Sequence, residues 1–483
     1  MEELDLLVLG KQSVRGVLAL ISQTFIIQII STAALLVILT ILSPSDIGIF
    51  TAVTAIRQIV DFFTDFGFGA ALVQKKDDLT QQDLKTCFTI QAGVTLLIFA
   101  AAFLLREPIT SFLRLNAAGE RLFLALIFIV FISSFKTIPA ILLERKIQFH
   151  KLVLPQVIEA LVYNILLVVL VLKGLHVDSY TYAFLASSLI GLPFYYYVSP
   201  WKLGIGIDKK SLKLLKFGLQ FQAKNVLATI KDDLITVFLV RLLPFAQIGY
   251  IGFAQKIAYV VYRYVVDSVT KVTFSAYSRM QENLDVLKKA IEKSLFFVSA
   301  IMFPVLMGIV LTIPYFIHYF SKWHNKWEPA IISLVFFCLN AAISSLSGIL
   351  VNILDATGRV KKTLNLMIIW TILTWTLTPL LIWKFGYNGV AAASFLVSLT
   401  IGYTIYLVKK IVEFDFIKSI YKPVICTIFM GTAVYILTLM FVKNFLTLSI
   451  SVVIGTIIYI VSFYIFARKE LHDGVKLAFR KHE

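Results

Sequence analysis

Long apolar runs recur from one end of the chain to the other, separated by short polar turns. A bilayer core of about 30 Å needs about 20 apolar residues in helical form, and the runs have that length. They predict about fourteen spans, near 16–42, 47–73, 84–105, 120–143, 152–173, 178–198, 212–242, 247–272, 294–318, 330–354, 362–384, 387–408, 422–442 and 446–467. The second, seventh and eighth are the polar ones. Continuous runs exclude a β-barrel, whose strands alternate apolar and polar residues over about ten positions. The pattern is that of an all-α polytopic membrane protein.

Composition agrees. The chain is 59% hydrophobic and 15% charged, against about 45–50% and about 25% in soluble domains, and its mean hydropathy is +0.86. A net charge of +17 raises nucleic acid as a partner. The cations are spread through short loops instead of forming the basic face such binding needs, so no nucleic-acid role is expected. Lys and Arg are about threefold more frequent in one set of alternating loops, which places both termini in the cytoplasm. Met1 to Gly16 reads as the approach to an uncleaved first span and not as a removed signal peptide. The largest loops, Arg279–Lys293 and Arg106–Gly119, leave no room for a catalytic domain. Cys87, Cys338 and Cys426 have neither metal spacing nor a disulfide framework and read as packing residues, so no metal or cofactor is expected.

A weak internal repeat divides the chain. Leu42 to Gly48 aligns with Leu243 to Gly249, and Asp65 then falls near Asp267. The offset predicts a six-helix bundle over 1–205, a second over 206–415 and a terminal pair with a cytoplasmic tail over 416–483. Both halves begin and end on one side, so the repeat is parallel, and two such pseudo-symmetric bundles form a V around a central cleft.

Seven cations lie inside the predicted spans: Arg57, Lys136, Lys224, Lys231, Lys256, Arg263 and Lys271. Each costs roughly 3 kcal/mol at the bilayer centre on insertion scales, so they must line something polar, and an anionic substrate is the natural counterpart. Lys256 and Arg263 are seven residues apart and fall within about 20° on a helix. Asp267 and Lys271 extend that stripe, flanked by Tyr259, Tyr262 and Tyr264. Gln220, Lys224 and Lys231 repeat the pattern on the seventh span beside Asp232 and Asp233, while the second carries Arg57, Asp61 and Asp65. A competing reading makes Arg57–Asp61 and Arg263–Asp267 neutral i,i+4 ion pairs that only hold helices together. Lys136, Lys224 and Lys256 have no carboxylate nearby in sequence and stand out as the lumen cations; Lys271 lies near a helix end and is placed to snorkel. Gly67-Phe68-Gly69 follows no strand and reads as helix packing. His318 and His324, beside Trp323 and Trp327, read as an interfacial aromatic belt.

The segments LSPSDIGIFT (42–51), DFGFGAALVQKKD (65–77), DLKTCF (83–88), ILLERKIQFHKL (141–152) and QIGYIGFAQK (247–256) have a familiar order. SRMQENLDVLKKAIEKS (278–294), LDATGRVKK (354–362) and GYNGVAAA (386–393) complete it. Together they resemble the Wzx-type bacterial oligosaccharide flippases, the teichuronic-acid and colanic-acid exporter-like group of the multidrug/oligosaccharidyl-lipid/polysaccharide superfamily, over nearly the whole length. The resemblance implies a flippase of the cytoplasmic membrane that moves a polyprenyl-linked oligosaccharide by alternating access. Its partners are then that lipid-linked oligosaccharide, membrane lipid and polysaccharide assembly proteins. Arg57, Lys136, Lys224, Lys231, Lys256 and Arg263 become the cations that receive pyrophosphate and acidic sugars, with the polyprenyl tail left in lipid. Ion-coupled members of the superfamily need a carboxylate that titrates or binds a cation; Asp61, Asp65, Glu159 and Asp267 are the candidates. A peptidoglycan-lipid flippase and a multidrug/cation antiporter are the alternatives within the superfamily. A membrane glycan polymerase or ligase and a transport-free scaffold are the alternatives outside it.

Overall fold

The computed structural model describes residues 26–64, 72, 79–146, 148–208, 211, 229–468 and 470. The fold is all-α, and among these residues no strand occurs. In chain order the helices are α1 (Ile26–Ile41), α2 (Pro44–Thr64), α3 (Gln81–Leu104), the short α4 (Arg106–Phe112), α5 (Ala117–Arg145), α6 (Phe149–Leu172) and α7 (Asp178–Val198). A π turn at Ile230–Leu234 leads into α8 (Ile235–Leu242) and α9 (Phe245–Met280). Then come α10 (Leu284–Tyr319), α11 (Ile331–Ala356), α12 (Val360–Phe385), α13 (Asn388–Ser398), α14 (Ile401–Lys409), α15 (Phe416–Met440) and α16 (Phe445–Phe466).

Among the described residues, nine helical segments are long and apolar enough to cross a membrane. Helix starts follow capping chemistry. Thr80 and Asp83 form a capping box at α3, Asn116 caps α5, Asp415 caps α15, and Asn444 with Thr447 caps α16. Each satisfies backbone N–H groups that the first turn leaves without helical acceptors. Inside the helices Thr and Ser hydroxyls donate back to carbonyls of the preceding turn, as Thr64 does to Val60 at 3.0 Å and Thr95 to Gln91 at 2.8 Å. Both residues are buried, and a hydroxyl shut away from water is satisfied by its own helix.

Two expectations about element bounds change. Residues 279–293 form little loop: α9 runs to Met280, and α10 resumes at Leu284 with Asn283 as its cap. Each of these helices has 36 residues, about 54 Å at 1.5 Å per residue, so they continue beyond the hydrocarbon core. The twelfth span is broken between α13 and α14. There the Thr400 hydroxyl donates to Val397 O at 2.7 Å and accepts from Trp370 Nε1 at 2.8 Å, local bonding that competes with a continuous helix.

The chain gathers into two compact units, Met1–Gly249 and Tyr250–Glu483. In the first, α5 is central and packs against α2, α3 and α7, while α6 lies on α7. In the second, α11 packs against α10 and α13, and α15 and α16 join through α10. The α16 contact is specific: Tyr459 donates to Ala300 O at 2.6 Å, and Phe463 stacks on Phe296. α5 and the Glu328–Ala356 segment containing α11 are the spans most enclosed in their own units, each 56% buried over its apolar window.

The aromatic belt reading is corrected at Trp323 and Trp327. They are 2% and 0% exposed, and Trp327 stacks on Phe253 at 4.4 Å between ring centroids. Two large rings close enough to interdigitate gain more in the protein core than at the interface. Cys87, Cys338 and Cys426 are buried free thiols.

Candidate functional site

In the first unit, four helices bring their polar residues together. On α2, Arg57 and Asp61 form an i,i+4 ion pair, Nε to Oδ2 at 3.2 Å. The Arg57 guanidinium also lies 5.9 Å from the centre of the Phe184 ring on α7, within cation–π range. Tyr163 on α6 packs against the same Phe184 at 4.4 Å between centroids. On α5, Lys136 donates to Glu159 of α6 and, at 2.9 Å, to the Ser188 hydroxyl of α7. The Lys136 and Glu159 side chains are 12% and 25% exposed. Gly191 makes room for this pair, because a Cβ there would overlap the Glu159 carboxylate. One buried ammonium thus ties three helices. Such pairs add little net stability but are costly to break from one side, because the remaining charge is left uncompensated.

In the second unit, α9 carries two different faces. Toward α11, Tyr259 OH accepts from Asn340 Nδ2 at 3.1 Å, and Asn340 Oδ1 accepts from Ser344 at 2.6 Å. Asn352 donates to Thr270 O at 3.0 Å and to Thr273 Oγ1 at 2.8 Å. A Cβ on Gly348 would sit 3.0 Å from Tyr262 OH, so a glycine at this position lets the ring approach α11. The other face holds Lys256, Arg263 and Asp267; Arg263 and Asp267 are exposed and Lys256 is partly so. The tyrosines and asparagines therefore fix the rotation of α9, and that rotation leaves the basic stripe open. What the stripe offers is a guanidinium and an ammonium, donors suited to phosphate or carboxylate oxygens. Among the described residues, no group of three or more His, Cys, Asp or Glu is arranged to hold a metal ion.

The family model described as "Polysaccharide biosynthesis protein" matches residues 37–332. The chain belongs to this family. Among curated proteins it is 23% identical over 451 residues to an "Uncharacterized membrane protein in cps region" of Klebsiella pneumoniae, covering 90% of both chains. It is also 23% identical over 292 residues to the "Lipopolysaccharide biosynthesis protein WzxC" of Escherichia coli (strain K12), covering 59% of this chain and 58% of that one. Among solved structures, the lipid II flippase MurJ in an inward closed conformation aligns with a TM-score of 0.74 at 18% identity, over 94% of this chain and 99% of MurJ. An inward-facing multidrug resistance MATE transporter of the MOP superfamily aligns with a TM-score of 0.62 at 14% identity, over 80% and 95% of the two chains. At these identities the structural matches establish a shared fold.

Within this member of the polysaccharide biosynthesis family, the predicted site residues separate into distinct settings. Lys136 was expected to stand apart from any carboxylate; that expectation is corrected, since Glu159 meets it from the next helix. Arg57 pairs with Asp61, the neutral arrangement that competed with a lumen role. Lys231 sits in the π turn beside its neighbour Asp232 and forms an ion pair with it. Lys256, Arg263 and Asp267 share one face of α9, as their spacing requires. Lys224 and Asp65 lie outside the described residues, as does the side chain of Lys271. Counting only charged residues missed Ser188, Asn340 and Asn352. Each is a polar residue within an apolar run, and the cost of leaving such a group unbonded in lipid was the available signal.

Proposed function

We propose that this protein is a flippase that carries a polyprenyl-pyrophosphate-linked oligosaccharide, a polysaccharide repeat unit, across the cytoplasmic membrane by alternating access. The observation that carries the reading is the open basic stripe of α9, Lys256 and Arg263, held in the membrane by the Tyr259–Asn340 and Asn352–Thr270 bonds. An intramembrane cation is retained where it serves an anionic cargo or a partner. Membership of the polysaccharide biosynthesis family, and a relative named for lipopolysaccharide biosynthesis, support an anionic glycolipid over a cationic drug.

Lys256 and Arg263 bind the pyrophosphate, each contributing charge-assisted hydrogen bonds. Lys224 and Lys231 are further cations of the preceding span that we assign to anionic cargo. Arg57 and Lys136 act differently: with Asp61 and Glu159 they set the packing of α2, α5, α6 and α7 and so shape the path. Asp267, exposed on the same helix as Lys256 and Arg263, is the carboxylate assigned to coupling transport to an ion. The chemistry is translocation, with no bond made or broken, and polysaccharide assembly proteins supply the cargo and receive it. In this reading both termini are cytoplasmic, which the excess of Lys and Arg in alternate loops supports.

Reconstitution separates the alternatives. Vesicles containing the protein are loaded with a fluorescent lipid-linked oligosaccharide, lipid II or a cationic dye, and cargo exposed on the outer face is followed with time. The oligosaccharide is expected to move fastest; transport of the dye alone would overturn the assignment.

A further inference from the structure

Residues 203–207 follow α7 as an extended strap along the first half of α3. Their exposure alternates: Leu203, Ile205 and Ile207 are 53%, 84% and 65% exposed, while Gly204 and Gly206 face Lys85 on α3. Gly206 N–H donates to Thr89 Oγ1 at 3.0 Å and Asp208 N–H to Thr86 Oγ1 at 2.9 Å. Ser211 Oγ donates to Asp83 Oδ1 at 2.8 Å. The helix thus supplies hydroxyl and carboxylate partners to a segment with no ladder of its own, as backbone near hydrocarbon requires. At Gly204 a Cβ would meet the flexible Lys85 stem, which would have to shift to make room.

Strap, α3 and α5 enclose a groove of about 670 Å³ walled by Phe88, Ala92, Leu96, Phe131, Phe135 and Ile205. Gly93 also lines it, and a Cβ there meets no atom within 4 Å. Only 22% of the apolar window of α3 is buried in the protein, so the groove opens sideways onto the surroundings of a spanning helix, which are lipid. Lys85 packs against the lining residue Gly204, exposed Lys202 precedes the lining residue Leu203, and Lys209 and Lys210 follow in the sequence. From Phe88 to Leu96 the wall rises about 12 Å along the helix, less than half of a hydrocarbon core of about 30 Å. That is the reach of a chain confined to one leaflet.

We infer that this groove binds one anionic phospholipid of the leaflet at the lysine-rich face. Its acyl chain lies between Phe88, Phe131 and Phe135, and its head group meets Lys85 and Lys202. Apolar walls ending in cations match an amphiphile with negative charge. Leu203, Ile205 and Ile207 enter the same leaflet beside it.

Trp201 reports on the groove. It is buried, and its ring meets Phe88 edge-on at 5.4 Å. Full-length protein is reconstituted in vesicles with increasing fractions of phosphatidylglycerol brominated on its acyl chains, and the Trp201 signal is taken as the difference from Trp201→Phe. Quenching is expected to saturate at a low brominated fraction and to need several-fold more brominated phosphatidylcholine for the same effect. Gly93→Phe, which fills open space, is expected to remove most of it, and Lys85→Gln/Lys202→Gln to reduce the preference for the anionic lipid. Quenching that rises linearly with bulk composition and equally for both lipids would overturn the site, a result read on the wild type whatever the variants do. Release of the quenching by equimolar polyprenyl phosphate would overturn the choice of occupant.

Discussion

Gly48 and Gly249 stand 201 residues apart and pack reciprocally against one another's helix starts. A Cβ on Gly48 would strike the carbonyl of Phe245, and a Cβ on Gly249 would strike the carbonyl of Pro44. Pro44 and Phe245 are separated by the same 201 residues. The contact is therefore reciprocal: both glycines permit backbone-to-backbone approach of α2 and the first turn of α9.

Side chains at either glycine should separate those turns. Gly48→Leu and Gly249→Leu are each expected to cost about 1–3 kcal/mol, the usual range for overpacking, seen as a fall of several degrees in thermal stability in detergent. Because one displacement relieves both clashes, the double variant should fall little further than either single one. Additive losses would show that the two contacts are independent.

The Lys136–Glu159 pair makes an asymmetric prediction. Lys136→Met and Glu159→Gln each break it, and Lys136→Met leaves a carboxylate in a low-dielectric site at a cost of about 3 kcal/mol. The double variant removes both charges and should recover most of the folded protein by size-exclusion profile. It should also retain transport, since this pair positions helices. Loss of transport in a well-folded double variant would place Lys136 in contact with cargo.

Trp327, 0% exposed and stacked on Phe253, should behave as a core residue. Trp327→Ala is expected to cost about 3–5 kcal/mol and to reduce the yield of folded protein sharply. An interfacial tryptophan would tolerate the change.

The charge bias predicts sidedness. Lys443→Cys and Lys361→Cys each create an exposed thiol in a protein whose own three cysteines are buried. An impermeant maleimide added to intact cells should label position 443 and spare position 361; the reverse pattern would invert the topology.

How much was legible in the chain depended on the range of the interaction. The bounds of α3, α5, α6 and α7 follow from apolar runs with Thr80, Asn116 and Asp178 at or beside their starts, all local signals. The stripe of Lys256, Arg263 and Asp267 follows from helical period alone. Glu159 as the partner of Lys136 does not: the two lie 23 residues apart on different helices, and no periodicity links them. The same holds for Tyr259 with Asn340, 81 residues apart. Trp323 and Trp327 misled because an aromatic pair near a span end fits both an interface and a core, and only packing against Phe253 distinguishes them.

The most direct measurement is the initial flipping rate of a defined lipid-linked oligosaccharide in proteoliposomes containing wild type, Lys256→Ala, Arg263→Ala or the double variant. Each lost charge-assisted hydrogen bond is worth about 1.5–3 kcal/mol, so each single variant should flip roughly tenfold to a hundredfold more slowly, with folding checked by size-exclusion profile. Wild-type rates in a correctly folded double variant would contradict the assignment of that face to the phosphorylated head group.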